Sequence, residues 1–280
     1  MDVFAHCAAE VRQHDRERFL ADLFAPEAPR RHLFALHAFN LEIARVRELV
    51  SEPMPGEIRL QWWRDLLTGQ ATGDAAGHPV AAAVLETLSL NGLPADALDR
   101  LIEARIFDLY NDPMPSLADL EGYAGETSSV LVQYGAMILA GGRDPGTADA
   151  AGHSGVALAI TGLLRALPIH ARRRQLYLPA DLLQAEGVVS EDIFAGRTTP
   201  ELLRLLKTMR DIAQDHLGRA RAALASAETA VLPAFLPLAL VEPVLARMER
   251  PDYAPLATTV DLAPWRSQWM LWRAARRGRV

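Results

Sequence analysis

LFALHAFNLEIARVRELVSEPMPGEIRLQWWRD, Leu33–Asp65, reads as two helices separated by a proline break. In its first half Leu36, Phe39, Ile43, Val46 and Val50 recur at alternating steps of three and four. That is one apolar stripe of an amphipathic helix, expected over Pro29–Val50. Neighbouring stripes carry His37, Leu41, Ala44 and Glu48, and Asn40 beside Arg47. Pro53, Pro55 and Gly56 punctuate the chain before a second helix, Glu57–Thr68, carrying Arg59, Trp62 and Trp63. Adjacent tryptophans on a helix point about 100° apart, so core packing takes them more readily than a shared cavity wall.

The pattern continues outward in both directions as helix after helix. Cys7–Leu23 suits a charged amphipathic helix. Gly69, Gly73 and Gly77 loosen a connection before Pro79–Leu88, and Pro94 opens a helix that ends near Tyr110. Asn111-Asp112-Pro113 is a stop. Ser116 and Asp119 form a local cap for a long helix to Leu139, which Gly141 and Gly142 close. A helix from Ala148 is expected to end at Pro168. Short helices follow, bracketed by Leu178–Pro179 and Phe194–Gly196, and Thr199-Pro200-Glu201 starts a long one towards Ser226. Val231–Met248, bent by its prolines, and Pro264–Arg277 complete the set. No stretch alternates as a strand or repeats. The expectation is an all-α fold over 1–280 as a single domain, with 264–280 a basic, Trp-rich terminal helix.

Composition limits the function classes. Half of the 280 residues are apolar, ample for a large core. A net charge of −6 argues against general nucleic-acid binding. Cys7 is the only cysteine, so neither an intrachain disulfide nor a multi-cysteine metal site is available. The amino terminus lacks a secretory signal, and no run reaches the roughly 18–20 uninterrupted apolar residues of a transmembrane helix. Lys207 is the only lysine among 29 basic residues, the bias a GC-rich bacterial genome gives. These features fit a bacterial cytoplasmic protein.

At Leu33–Asp65 the chain resembles the squalene/phytoene synthase family, a group of all-helical isoprenoid synthases. Members open with Tyr-Ala-Phe-x-x-x-x-Asp-Asp-x-x-Asp, and HAFNLEIARVRE, His37–Glu48, stands in that register. A later family motif reads Leu-Arg-Asp-x-x-x-Asp-Ala-x-x-Gly-Arg-x-Tyr-Leu-Pro. LRALPIHARRRQLYLP, Leu164–Pro179, follows it without a gap, and Arg165, Ala171, Tyr177, Leu178 and Pro179 match. The resemblance covers roughly Asp15 to Pro243 and implies a single helical bundle of isoprenoid-synthase type. In it, Leu33–Val50 and Ala148–Leu167 should face each other across a central cavity.

In the family, the resemblance implies, facing aspartate pairs hold magnesium against the diphosphate of an allylic substrate. Carboxylates at i and i+4 share a helical face, and magnesium bridges such oxygens to phosphates. The metal then neutralises the charge that develops on ionisation. Here Ala44 and Arg45 replace the first pair, with Glu48 keeping one acid, and Ala166 and His170 replace the second. Alanine cannot ligate. A cation about 4 Å from Arg45 would meet about 4 kcal/mol of repulsion at an effective dielectric of about 20. His170 is a poor magnesium ligand, and Pro168 is expected to break the helix between it and Ala166. The expectation is therefore a non-catalytic protein with no catalytic residue, no metal and no cofactor. Magnesium enters only if a prenyltransferase activity survives.

EIRLQWWRD (Glu57–Asp65), ARIFDLYNDPMPSLADLEGYAGETSS (Ala104–Ser129) and ITGLLRALPIHARRRQLYLPADLL (Ile160–Leu183) resemble one branch more than active synthases. That branch is the complex I assembly factors of squalene/phytoene synthase type and their bacterial relatives. It implies a role in assembling the respiratory NADH dehydrogenase, with respiratory-complex subunits or a prenyl lipid as partners and no nucleic acid. The alternatives are head-to-head prenyl transfer and prenyl-lipid binding.

His37, Asn40, Arg45, Arg165 and Tyr177 are the candidate binding residues. The basic residues Arg45, Arg47, Arg165 and Arg172–Arg174 either bind an anionic head group or phosphate or form surface ion pairs. His37 is a cavity-wall or core residue. Glu42, Glu48, Glu57, Asp108 and Glu126 are either a rearranged metal site or separate solvated and ion-paired acids. Ser128 and Ser129 near Tyr123 lack a histidine–acid pattern for hydrolysis. Trp265, Trp269 and Trp272 share a helical face flanked by arginines, which suits either peripheral contact with the inner membrane or packing of this helix on the bundle.

Overall fold

A carboxylate starts each of the first two helices. Asp2 accepts from Phe4 N to cap α1 (Val3–His14), and Asp15 accepts from Arg18 N at 3.1 Å to cap α2 (Arg16–Asp22). Periodicity predicts one helix over Cys7–Leu23. Asp15, with φ −140°, divides it because its side chain competes for the amides of the next turn. The computed structural model describes residues 2–70 and 77–280, so Gly73 lies outside the described residues.

The helix carrying the first motif, α3 (Glu27–Ala44), stops short of Val50. Arg45 (φ −84°, ψ −7°) interrupts it before the four-residue α4 (Val46–Leu49). Pro53 sits in the first turn of α5 (Pro53–Leu67), four residues before the expected start. α6 (Pro79–Asn91) is closed by Gly92 at φ 61°. α7 (Asp96–Arg105) tightens into the 3-10 turn Ile106–Leu109. Ser116 caps α8 (Leu117–Ala124) as expected, accepting from Asp119 N at 3.2 Å. A π-turn, Gly125–Ser129, joins α8 to α9 (Val130–Leu139).

Pro168 does not break the following helix: α10 runs unbroken from Ala148 to Arg172. Proline removes one backbone donor. On both sides of it Leu164, Leu167 and Ala171 are buried in one core with Leu205, Leu206 and Met209, and that burial holds the last turns helical. His170 therefore does lie one turn beyond Ala166. After α11 (Ala180–Glu186) and α12 (Ser190–Phe194), Thr199 caps α13 (Pro200–Ala223) by accepting from Leu202 N at 3.2 Å. The expected helix over Val231–Met248 is two pieces, a 3-10 run, Thr229–Leu240, and α14 (Val241–Met248). Pro233 and Pro237 deprive an α-helical ladder of two donors in consecutive turns. α15 (Pro264–Arg277) ends the chain's helices, and no strand occurs among the described residues.

The buried apolar residues form two large clusters with α9 as their common wall. Leu131, Tyr134 and Ile138 point into a core built from α1, α3, α5, α6 and α7. Val132, Ala136 and Ala140 point into a second core dominated by α10 and α13. Ala148–Arg172 and Thr229–Met248 are long and apolar enough to cross a membrane, but 56% and 50% of their most apolar windows is buried inside the protein.

The π-turn meets α10 at Gly155, where Ser129 Oγ donates to Gly152 O at 2.9 Å. A Cβ at Gly155 would overlap the backbone and hydroxyl of Ser129, whereas one at Gly218 in α13 meets open space. Gly155→Ala should lower unfolding stability by about 1–3 kcal/mol. Gly218→Ala should be neutral or stabilise by up to about 1 kcal/mol. Urea denaturation of both variants checks the pair of expectations.

Candidate functional site

α3 and α10 both line a cleft of about 210 Å³, and none of the motif positions Ala44, Arg45, Glu48, Ala166 and His170 lies in its wall. α3 contributes Asn40, and α10 contributes Leu158, Gly162 and Leu163. Arg18, Arg105 and Tyr123 supply much of the remaining polar wall. A second cleft of about 260 Å³ shares Arg18, Leu158 and Gly162 with it. Asn40 is buried and its Oδ1 has no hydrogen-bond partner among the described residues; neither does Arg105 Nε. These are donor and acceptor capacity held out of water beside a cleft.

The polar wall is organised by Asp108, in the 3-10 turn after α7. Arg105 donates through Nη1 to Asp108 Oδ2 at 3.0 Å and to the Tyr123 hydroxyl at 2.7 Å. Tyr123 and Tyr177 each donate to Asp108 Oδ1 at 2.9 Å. Gln175 Nε2 donates to the Asp108 carbonyl at 3.3 Å. Burial, ahead of the Asp108 charge, pushes the Tyr177 phenol far above its usual range. Burial does the same to Tyr123 against the pull of Arg105. Both phenols thus remain donors on a carboxylate that is 6% exposed.

His170 packs on Tyr177 with ring centroids 4.7 Å apart. Burial lowers its pKa to about 4, Asp108 opposing and Arg173 adding to the shift. Arg174 takes a left-handed φ of 56° at the position where the family motif has glycine. Its ion pair with Glu191 and its guanidinium 4.5 Å over the Phe194 ring hold it there.

The other singled-out residues are committed elsewhere. His37 Nδ1 lies 2.8 Å from Asp22 Oδ2, and burial raises the Asp22 carboxyl against the pull of His37. Arg45 reaches Glu10 only at 4.0 Å. Arg165 donates to Glu17 at 2.9 Å, to Asp261 at 3.3 Å and to the Val260 carbonyl at 3.0 Å. Ala44 and Ala166 are both half-buried. Glu48 and Arg173 form an ion pair at 3.0 Å that joins the ends of the two motifs. Glu126 pairs with Arg100, and Glu57 accepts from Tyr110. Of the five acids considered, four therefore have separate partners and do not converge. Trp63 is buried against Phe39, and Trp62 meets its edge, which is core packing.

The sequence model of squalene/phytoene synthase matches residues 11–273. The chain belongs to the squalene/phytoene synthase family. It is 31% identical over 252 residues to the NADH dehydrogenase (ubiquinone) complex I assembly factor 6 of Rattus norvegicus, covering 90% of this chain and 75% of that one. Its fold superposes on a dehydrosqualene synthase crystal structure with a TM-score of 0.82 at 16% identity, covering 98% and 96% of the two chains. The squalene synthase HpnC from Alicyclobacillus acidocaldarius gives 0.75 at 22% identity, covering 89% and 93%. The chain thus has the all-α isoprenoid-synthase fold.

Family membership raises the question of magnesium, and the donor set here does not fit it. The 210 Å³ cleft is lined by two guanidiniums and by no carboxylate. Among the described residues no three His, Cys, Asp or Glu side chains gather as a metal ion would need. Guanidiniums suit an anion instead, and here Arg18 is already paired with Asp15 and Arg105 with Asp108. Tyr177 is the one candidate binding residue drawn into the Asp108 cluster, and Asn40 faces the same cleft. Arg105 was missed by motif reading because it lies in neither motif; the only signal was its place in the Ala104–Ser129 segment.

Two measurements probe this cluster. Asp108→Asn leaves Arg105 short of its counter-charge and should cost about 3 kcal/mol, the low end for a broken buried pair because Arg105 keeps some contact with water. Tyr177→Phe removes one hydrogen bond to a charged group and should cost about 1.5–3 kcal/mol. Both are read from urea denaturation. His170 is neutral in the fold but has an ordinary pKa of 6.5 when unfolded. Its contribution to stability is therefore complete above that pH and is lost as the pH falls towards about 4. Imidazole NMR titration should show it, and His170→Gln should flatten the stability profile across that window.

Proposed function

We propose that this protein is a non-catalytic member of the squalene/phytoene synthase family that assists assembly of respiratory complex I. The observation that carries the reading is the replacement of the metal-holding aspartates by Ala44, Arg45, Ala166 and His170 at the motif positions of α3 and α10 and the turn that joins α3 to α4. The remaining acid, Glu48, is taken by Arg173. Similarity to complex I assembly factor 6 over 90% of the chain supports the same reading. A metal at such a site contributes several kcal/mol to the transition state, and each 1.36 kcal/mol is about tenfold in rate.

A second reading, binding of a prenyl lipid without chemistry, is favoured by the cleft itself. Arg18 and Arg105 lie at its polar wall and Leu158 and Leu163 at its apolar one. That pairing suits an anionic head with a short apolar tail.

Incubation with farnesyl or geranylgeranyl diphosphate, with or without magnesium, should yield no squalene- or phytoene-like product above roughly a thousandth of a working synthase's rate. Deletion of the gene should lower NADH oxidation by isolated membranes, and Arg45→Asp should restore it as well as the unaltered protein. Magnesium-dependent product would overturn the non-catalytic part. Unchanged NADH oxidation after deletion would overturn the assembly part.

A further inference from the structure

α15 is docked by one face only. Ser267, Leu271 and Ala274, at i, i+4 and i+7, are buried, and Leu271 and Ala274 pack with Ala21, Leu236 and Leu240. Trp265, Trp269 and Trp272 are offset from them by two residues, which is about 200° around a helix. The indoles point away from the protein and are 69%, 51% and 49% exposed. The tryptophans therefore do not pack this helix on the bundle, the alternative that the sequence left open.

Each of the three indoles carries a guanidinium. Arg266 lies 5.9 Å from the Trp265 ring centroid, Arg273 5.1 Å from Trp269 and Arg276 5.5 Å from Trp272. Residues 264–280 hold five arginines and no acid in a chain whose net charge is −6. Arg266, Arg273, Arg276, Arg277 and Arg279 form no ion pair among the described residues. Of the acids near this helix, Glu17 and Asp261 are engaged by Arg165 and Asp22 by His37, while Glu228 shares a cleft with Arg279.

We infer that the outward face of α15 docks the protein on an anionic phospholipid surface. Indoles prefer the boundary between acyl chains and head groups. Guanidiniums held at the level of those rings meet the lipid phosphates there, and an unpaired basic cluster is drawn to anionic bilayers. The charge of this face is complementary to anionic lipid. This inference is independent of the assembly and lipid-binding readings above, because it concerns a surface remote in sequence from both motifs.

The test is flotation of the full chain with vesicles of phosphatidylcholine alone or mixed with phosphatidylglycerol. The protein should float with the mixed vesicles, and raised salt should release it. Replacing Trp265, Trp269 and Trp272 together by Ala should abolish flotation while the thermal unfolding curve stays in place. Arg273→Gln and Arg276→Gln should each weaken partition roughly fivefold. Brominated lipid should quench the fluorescence of the unaltered protein, since three of its five tryptophans lie on this face. Equal flotation of the tryptophan variant overturns the inference, as does equal binding to neutral and mixed vesicles. So does failure to float at low salt, the result expected if this face instead meets an acidic protein.

Discussion

A buried carboxylate has to be answered from several sides, and Asp108 is answered from three. Its partners come from the end of α7 (Arg105), from α8 (Tyr123) and from the segment after α10 (Tyr177). Taking an ion out of water costs several kcal/mol unless hydrogen bonds and an opposite charge replace the solvent. That cost makes the network cooperative, because no partner can leave without exposing the others to it. The polar wall of the central cleft is the outer side of this network.

The family's scaffold and the family's chemistry separate cleanly in this chain. Helix packing depends on the apolar stripes, and those persist: Leu36, Phe39 and Ile43 on α3, Ile160, Leu164 and Leu167 on α10. Metal ligation depends on a few acids that project from the same helices and contribute nothing to the core. Replacing them leaves the fold intact, and the cleft is lined by Arg18, paired with Asp15, and Arg105, paired with Asp108. A fold alone therefore says little about the reaction it hosts.

Helix existence was legible in the sequence, and helix continuity was not. Period and caps located Ser116, Thr199 and the terminal helix correctly. The breaks at Asp15 and Arg45 and the continuation through Pro168 depend on tertiary terms that a local pattern does not carry. At Pro168 a local penalty is outweighed by burial on both sides; along Thr229–Leu240 two such penalties in consecutive turns are not. The site was half legible. The motif positions and Tyr177 were identifiable by register, and the Glu48–Arg173 pair closes the gap between the two motifs. Asp108 was visible only as one acid among several, because its burial and its phenol partners, 15 and 69 residues away, have no sequence signature.

The shared wall formed by α9 has a dynamic consequence. Each of its faces belongs to a different apolar cluster, so each cluster is a cooperative unit that can open with its own free energy. The central cleft lies on the seam, with Asn40 and Arg105 on elements of one unit and Leu158 and Leu163 on a helix of the other. The bonds from Arg105 and Asp108 to Tyr123 and Tyr177 cross that seam, so the two units cannot shift about α9 without stretching them, and the width of the cleft is tied to the integrity of the Asp108 network.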